Sequence, residues 1–353
     1  MIKVSTSVAA TSADSIFLAL QDHIVEHGFS PSHTDTRRLT IEHQGNMLSI
    51  ELEPEALVVD IEAVSANALF FLKEAVAHHL EECDPEVAAK LRWPDQDRQM
   101  FPPNFRELRV VERLRPIPGM TRLWLEGEDL QPLTQDGMHV KLMLPAQLGR
   151  PPTWPGVHPN GATRWPKGED RLHVRYFTLR HVNPEASRVA IDFMHHTGGN
   201  ISDWTVSAAE GDVIGVMGPG GGLPLKHNGR PAIIGGDMTA LPAIARMLEE
   251  PDCPLEGHLL VEMPEEVDAA TYLPASSLEL HRFGLGRFNR EAPSKMLELA
   301  AAGWQGLVWF GAEHSAAEVV RNHLKSVDFD YRTDAQVVAY WRAGIRGGAR
   351  QED

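Results

Sequence analysis

Cysteine is almost missing from this 353-residue chain: Cys83 and Cys253 stand 170 positions apart, with no CxxC pairing. A disulfide framework, a zinc knuckle and a cysteine-ligated iron–sulfur cluster are therefore not expected. No apolar run approaches the roughly 18 residues that span a bilayer. The opening MIKVSTSVAATSADSIF lacks a basic region followed by an apolar stretch, the mark of a secretory leader. The expected location is the cytoplasm, with no membrane partner. Positive charge is also short. With 33 basic and 49 acidic side chains the net charge is −16, whereas a nucleic-acid binder needs a basic footprint. Internal repeats and low-complexity tracts are absent as well.

What is present falls into three segments. Residues 1–100 hold 17 acidic and 7 basic side chains, a net of −10, and this asymmetry marks a separate module over 1–95. SADSIFLALQDHIVEHG carries Ile16, Leu20, Ile24 and Val25 at helical spacing, with Ser12 as N-cap and Gly28 as stop. RLTIEH, NMLSIEL and ALVVDIEA alternate as strands, and SANALFFLKEAVAHHLEEC is a second helix capped by Ser65. A small α+β domain is expected, followed by a linker over 92–104. Residues 105–226 contain six candidate strands, which predict a six-stranded antiparallel β-barrel. Within them, 145–170 forms a long loop with six prolines and two tryptophans, Trp154 and Trp165, and a loop of that length is expected to be functional. Residues 228–346 alternate short apolar strands with helices, which predicts a Rossmann-like parallel α/β domain.

One strand, RLHVRYFTLRHV over 171–182, sets Arg175 and Arg180 around Tyr176, Phe177 and Thr178. A strand that needed only an apolar face would not carry both arginines, so an anionic partner is expected. The stretches RYFTLR, DFMHHTGGNISDW, VMGPGGG, GGDMTALPAI and AYWRAG follow one another along the chain. In that order the chain resembles, from about 105 to 346, the siderophore-interacting proteins, bacterial FAD-dependent ferric-siderophore reductases with a ferredoxin-reductase-like plan. The first ninety residues look like a small domain of unknown function fused ahead of such reductases, leaving that module open to an unidentified partner.

The resemblance implies a role for each motif. Arg175 would hold the FAD phosphates, since its fork donates in a plane. Phe177, in place of the usual tyrosine, and Thr178 would contact the flavin. His196, Ile201, Ser202 and Trp204 match the pyrophosphate segment, where helix N–H groups face phosphate; Asn200 stands where proline is usual. Asp237, Thr239 and Ala240 would mark the NAD(P)H-binding end of the α/β domain, and Trp341 would cover the flavin ring. Arg282, Arg287 and Arg290 are candidates for a 2′-phosphate, with NADPH and NADH both open as donors. Lys141, Arg180 and Arg342 would form a basic rim for an anionic ferric chelate. Neither histidine group noticed in the sequence reads as a metal site. His195 and His196, adjacent on a strand, point apart, and His79 with Cys83 beside Glu81 and Glu82 reads as a solvated helix edge.

The expected activity is NAD(P)H-driven, FAD-dependent reduction of ferric siderophores with release of ferrous iron. A general flavin or ferric-chelate reductase is the first alternative. A non-catalytic module that binds a siderophore or flavin is the second.

Overall fold

The computed structural model describes residues 1–26, 31–95, 101–135, 137–147, 149–196, 198–221, 228–250, 256–301, 303–327, 329–330 and 333–345. Gly28, Cys253, Arg346 and Arg350 lie outside the described residues. The chain divides into two compact units, residues 1–105 with 145–171, and residues 106–144 with 172–353.

The first unit begins with β1 (Ile2–Ala9), α1 (Ala13–Glu26), β2 (His33–Thr34), β3 (Arg38–His43), β4 (Asn46–Glu53), β5 (Ala56–Ala63), α2 (Ala66–Cys83) and α3 (Pro85–Lys90). Its antiparallel sheet has the order β1-β5-β4-β3-β2. Alternation along β5 buries Leu57, Val59, Ile61 and Ala63. These pack with Ile16, Phe17 and Leu20 of α1 and with Leu69, Val76 and Leu80 of α2. Ser65 caps α2, its hydroxyl accepting from the Ala68 N–H at 3.1 Å. Asp84 ends the same helix and starts the next by accepting from the N–H groups of Glu86 and Val87.

The second unit opens as a barrel: β6 (Phe105–Leu114), β7 (Met120–Glu126) and β8 (Gly137–Pro145). The chain then leaves it for the short hairpin β9 (Gly156–Val157) and β10 (Thr163–Arg164). It returns with β11 (Leu172–Asn183), β12 (Arg188–Met194), α4 (Asn200–Ser207) and β13 (Val213–Gly221). The six long strands close in the order β11-β12-β7-β6-β13-β8 around Leu123, Leu142, Leu179, Ile191, Phe193 and Val216.

The proline-rich excursion 145–171 is compact with the first unit and not with the barrel strands on either side of it. The Trp93 indole Nε1 donates to the Asn160 carbonyl at 2.9 Å, and the Trp93 N–H to that of Pro159 at 3.1 Å. Gly161 sits at φ +91°, and a Cβ there would stand 2.7 Å from that of Lys73. The Thr163 hydroxyl bonds the Glu74 carboxylate. Trp93 is itself buried in the first unit's core, so the segment read as linker begins inside that core.

The remainder of the second unit runs β14 (Ala232–Gly236), α5 (Leu241–Glu249), β15 (Gly257–Glu262), β16 (Glu279–Phe283), α6 (Phe288–Leu299), β17 (Leu307–Glu313), α7 (His314–Ser326) and β18 (Ala335–Trp341). The sheet, ordered β16-β15-β14-β17-β18, is parallel throughout. β14 and β17 are buried along their whole length, as central parallel strands covered on both faces must be. Ile117, Met120 and Met138 of the barrel join one of the two α/β cores, so barrel and sheet share an apolar seam.

Candidate functional site

β11 alternates its side chains between two environments. The Phe177 ring tilts against Phe193 in the barrel core, centroids 4.8 Å apart. Tyr176, on the other side, is exposed, and the Lys141 ammonium of β8 lies 5.8 Å from its ring centroid. Arg175 is half-buried, and burial lowers the pKa of its guanidinium. Its Nη1 donates only to the neighbouring Val174 carbonyl, and among the described residues it meets no carboxylate. A desolvated guanidinium without a counter-ion suits an anionic ligand.

The segment after β12 brings α4 beside this strand, for Asn200 Nδ2 lies 2.8 Å from the His173 ring. Gly199 is the N-cap residue and offers no side-chain acceptor. The N–H groups of Asn200 and Ile201 in the first turn have no intrahelical acceptor and are oriented for an anion. A Cβ at Gly199 would stand 2.1 Å from the His196 ring, so any larger residue here would have to displace that exposed side chain. The Ser202 hydroxyl is turned back on the loop, accepting from the His196 N–H at 3.1 Å and donating to its carbonyl at 3.2 Å. Ile201 and Trp204 are buried in the barrel core. They hold the helix in place, and what this segment offers a phosphate is main chain. His195 and His196 follow the end of β12 instead of lying on the strand as expected, and His195 turns to Thr121, Nε2 to Oγ1 2.7 Å.

The carboxyl ends of β14, β15 and β17 carry three buried carboxylates, Asp237, Glu262 and Glu313. Asp237 accepts from the N–H and hydroxyl of Thr239 (2.9 and 2.5 Å), the Glu313 N–H (3.1 Å) and the Trp341 indole (2.8 Å). Asp237 and Thr239 thus bond each other, and Asp237 fixes the half-exposed Trp341 ring at the end of β18. Ala240 fills the close approach of α5 to β14 and β17; a Cβ on Gly236 would come within 2.7 Å of its own. Glu262 accepts from the N–H groups of Met238 and Gly286, and burial pushes its carboxyl up. Burial acts the same way on Glu313. There the Ser315 hydroxyl and the N–H groups of Ala343, Ser315 and Ala316 outweigh it and hold the carboxyl below its usual value. The protein's own carboxylates therefore occupy the helix-start donors of α6 and α7 that a nucleotide phosphate would otherwise use. Arg282 donates to the Pro264 carbonyl and Arg287 pairs with Glu291. Arg290 meets no carboxylate among the described residues, and Arg342 is exposed just beyond Trp341.

Arg180 is not at an open rim. Its side chain is 4% exposed, and its fork bonds both Glu249 oxygens on α5, at 2.6 and 2.7 Å. It belongs to a polar seam between barrel and sheet. Arg246 donates to the Leu179 carbonyl, while buried Asp192 takes a bidentate pair from Arg122 and the Tyr272 hydroxyl at 2.6 Å. The same seam holds two residues that sequence reasoning missed. The Tyr340 hydroxyl meets His139 Nε2 at 2.9 Å and bonds the Thr178 side chain. Burial, with Arg246 adding to it, pushes His139 down to about 4, so its imidazole is neutral. Tyr340 was visible only as part of AYWRAG, and nothing local singled out His139.

Residues 109–223 match the siderophore-interacting FAD-binding domain, and residues 230–344 match the siderophore-interacting protein model. The siderophore-interacting protein SipS from Aeromonas hydrophila superposes with a TM-score of 0.54 at 29% identity, over 69% of this chain and 93% of that one. A ferric vibriobactin reductase of Vibrio cholerae is 31% identical over 152 residues, which is 42% of this chain and 55% of that protein. An NADPH-dependent ferric-chelate reductase of Escherichia coli is 35% identical over 167 residues, 45% of this chain and 61% of that protein. The chain thus spans little more than half the length of these curated relatives. Arg175 without a counter-ion and the open start of α4 fit the FAD that the first family model names. With its barrel and parallel sheet matched in turn across 109–344, the chain belongs to the siderophore-interacting proteins.

Proposed function

We propose that the second unit reduces ferric siderophores with electrons from NAD(P)H passed through FAD, releasing ferrous iron in the cytoplasm. The observation that carries this reading is the half-buried, counter-ion-free Arg175 beside the open α4 start, on a barrel joined to a parallel sheet. Arg175 and the first N–H groups of α4 bind the pyrophosphate. The Tyr340–His139 pair sets the direction of the Thr178 hydroxyl, and Asp237 fixes the Trp341 ring as a cover at the mouth. FAD, when bound, supplies the exchange between two-electron and one-electron chemistry. No side chain of this protein has to serve as acid or base for the metal's reduction. Ferric iron held by hard oxygen donors is released once its charge falls.

Lys141 beside Tyr176, with Arg342, draws in the anionic chelate. Because Glu249 neutralises Arg180, attraction by charge rather than a fitted pocket governs chelate choice. That favours, as a second reading, a reductase tolerant of several anionic ferric chelates. The sheet's own carboxylates leave Arg290 to hold a nucleotide phosphate. The test is an anaerobic absorbance titration of the FAD-loaded protein. NADPH or NADH should bleach the flavin bands, and a ferric siderophore should restore them. Failure of both nucleotides to bleach the flavin overturns the reductase reading and leaves a binding module. Equal turnover of ferric citrate and a ferric hydroxamate supports the chelate-tolerant form.

A further inference from the structure

In the first unit, α1 and α2 place three imidazoles around one carboxylate. His23 Nε2 of α1 lies 2.7 Å from Glu82 Oε2. On α2, His79 Nδ1 lies 3.5 Å from the same oxygen and His78 Nε2 lies 3.6 Å from Oε1. The His23 and His79 rings meet edge to face, centroids 4.9 Å apart. One donor atom from each of His23, His79 and Glu82 lies within 4.8 Å of the others. The i,i+3 spacing of His79 and Glu82 puts both on one helix face, and only helix packing brings His23 to them.

We propose that His23, His79 and Glu82, with His78 as a further donor, bind a first-row divalent cation. Imidazole with carboxylate is the borderline donor set that Zn2+ and Fe2+ accept and that Mg2+ and Ca2+ do not prefer. With metal–nitrogen bonds of 2.0–2.1 Å, tetrahedral ligand atoms stand about 3.3 Å apart, close to the separations already present. Side-chain exposures of 22%, 19% and 44% for His23, His79 and Glu82 leave the cluster partly open, so an ion can enter and water can complete its shell. The first hundred residues, at −10, attract cations. The solvated helix edge expected at His79 and Cys83 becomes, with His23 opposite, a three-sided cage.

The parallel sheet contains another such group, His258, Glu279 and His281, so the test uses the full chain carrying His258→Ala and His281→Ala. Chelator-stripped protein is titrated with Co2+ as a visible probe. Intense d–d bands of four- or five-coordinate Co2+ should saturate at about one equivalent. Zn2+ should displace the probe, as should Fe2+ under anaerobic conditions, and Mg2+ should not. Adding His23→Ala with His79→Ala should abolish the bands. The near-isosteric Glu82→Gln, with unchanged far-UV circular dichroism, should weaken affinity by about tenfold or more. Zn2+ should also raise the unfolding temperature of the parent chain by mass action, and not that of the His23/His79 variant. Absent bands, bands that survive His23→Ala/His79→Ala, or displacement by Mg2+ would each overturn the site.

Discussion

Arg175 and Arg180 lie five residues apart on one strand and do different work. Arg175 meets no carboxylate among the described residues, whereas Arg180 closes on Glu249. Replacing Arg175 with glutamine should lower FAD retention by at least tenfold, read by equilibrium dialysis, with little change in melting temperature. Arg180→Ala should do the reverse. It leaves Glu249 without its partner and should cost about 1–2 kcal/mol, less than a fully buried pair because Glu249 keeps 39% of its side chain exposed. A chelate affinity that falls while stability holds would return Arg180 to the mouth of the site. His139 gives a pH dependence of defined sign. Its folded pKa of about 4 lies below the ordinary 6.5, so the unfolded chain binds the extra proton first. Stability is complete above about pH 6.5 and falls as pH drops toward 4, by up to about 3 kcal/mol. A His139→Gln variant should lose that part of the acid dependence in melts recorded between pH 4 and 7.

At the scale of elements, alternation and turn residues made most strands readable, because side-chain period follows directly from pleat and helix geometry. Arg175 was legible for the same reason, a charge inside an extended apolar run. The polar seam was not. Asp192, Arg122 and Tyr272 are each unremarkable locally, and their union depends on a sequence separation of 80 residues between Asp192 and Tyr272. Nor did the prolines of 145–170 disclose what the loop packs against: they exclude regular strands without naming a partner. Trp93 makes that partnership testable. Trp93→Ala removes the indole that meets Asn160 and should destabilise the first unit by about 3 kcal/mol or more, seen as a lower melting transition. For α4, Gly199→Ala should impair FAD binding without unfolding the barrel, since the collision falls on the half-open His196 loop.

For the whole molecule, two compact units with separate cores predict two calorimetric transitions. Saturating FAD should raise only the one belonging to the barrel and sheet, because only a state that binds ligand gains from it. A single transition raised as a whole by FAD would mean that the two cores unfold together.

The backbone passes between the units three times, after residues 105, 144 and 171. A ribosome making this chain therefore cannot finish the first unit first. Its sheet and helices emerge early, but Asn160 and Gly161, which close over Trp93, follow only after three barrel strands have been synthesised. The nascent N-terminal sheet must wait, with the Trp93 surface uncovered, while another domain is begun. A single protease cut at the 105 junction would not release it either, since the excursion still ties the two together.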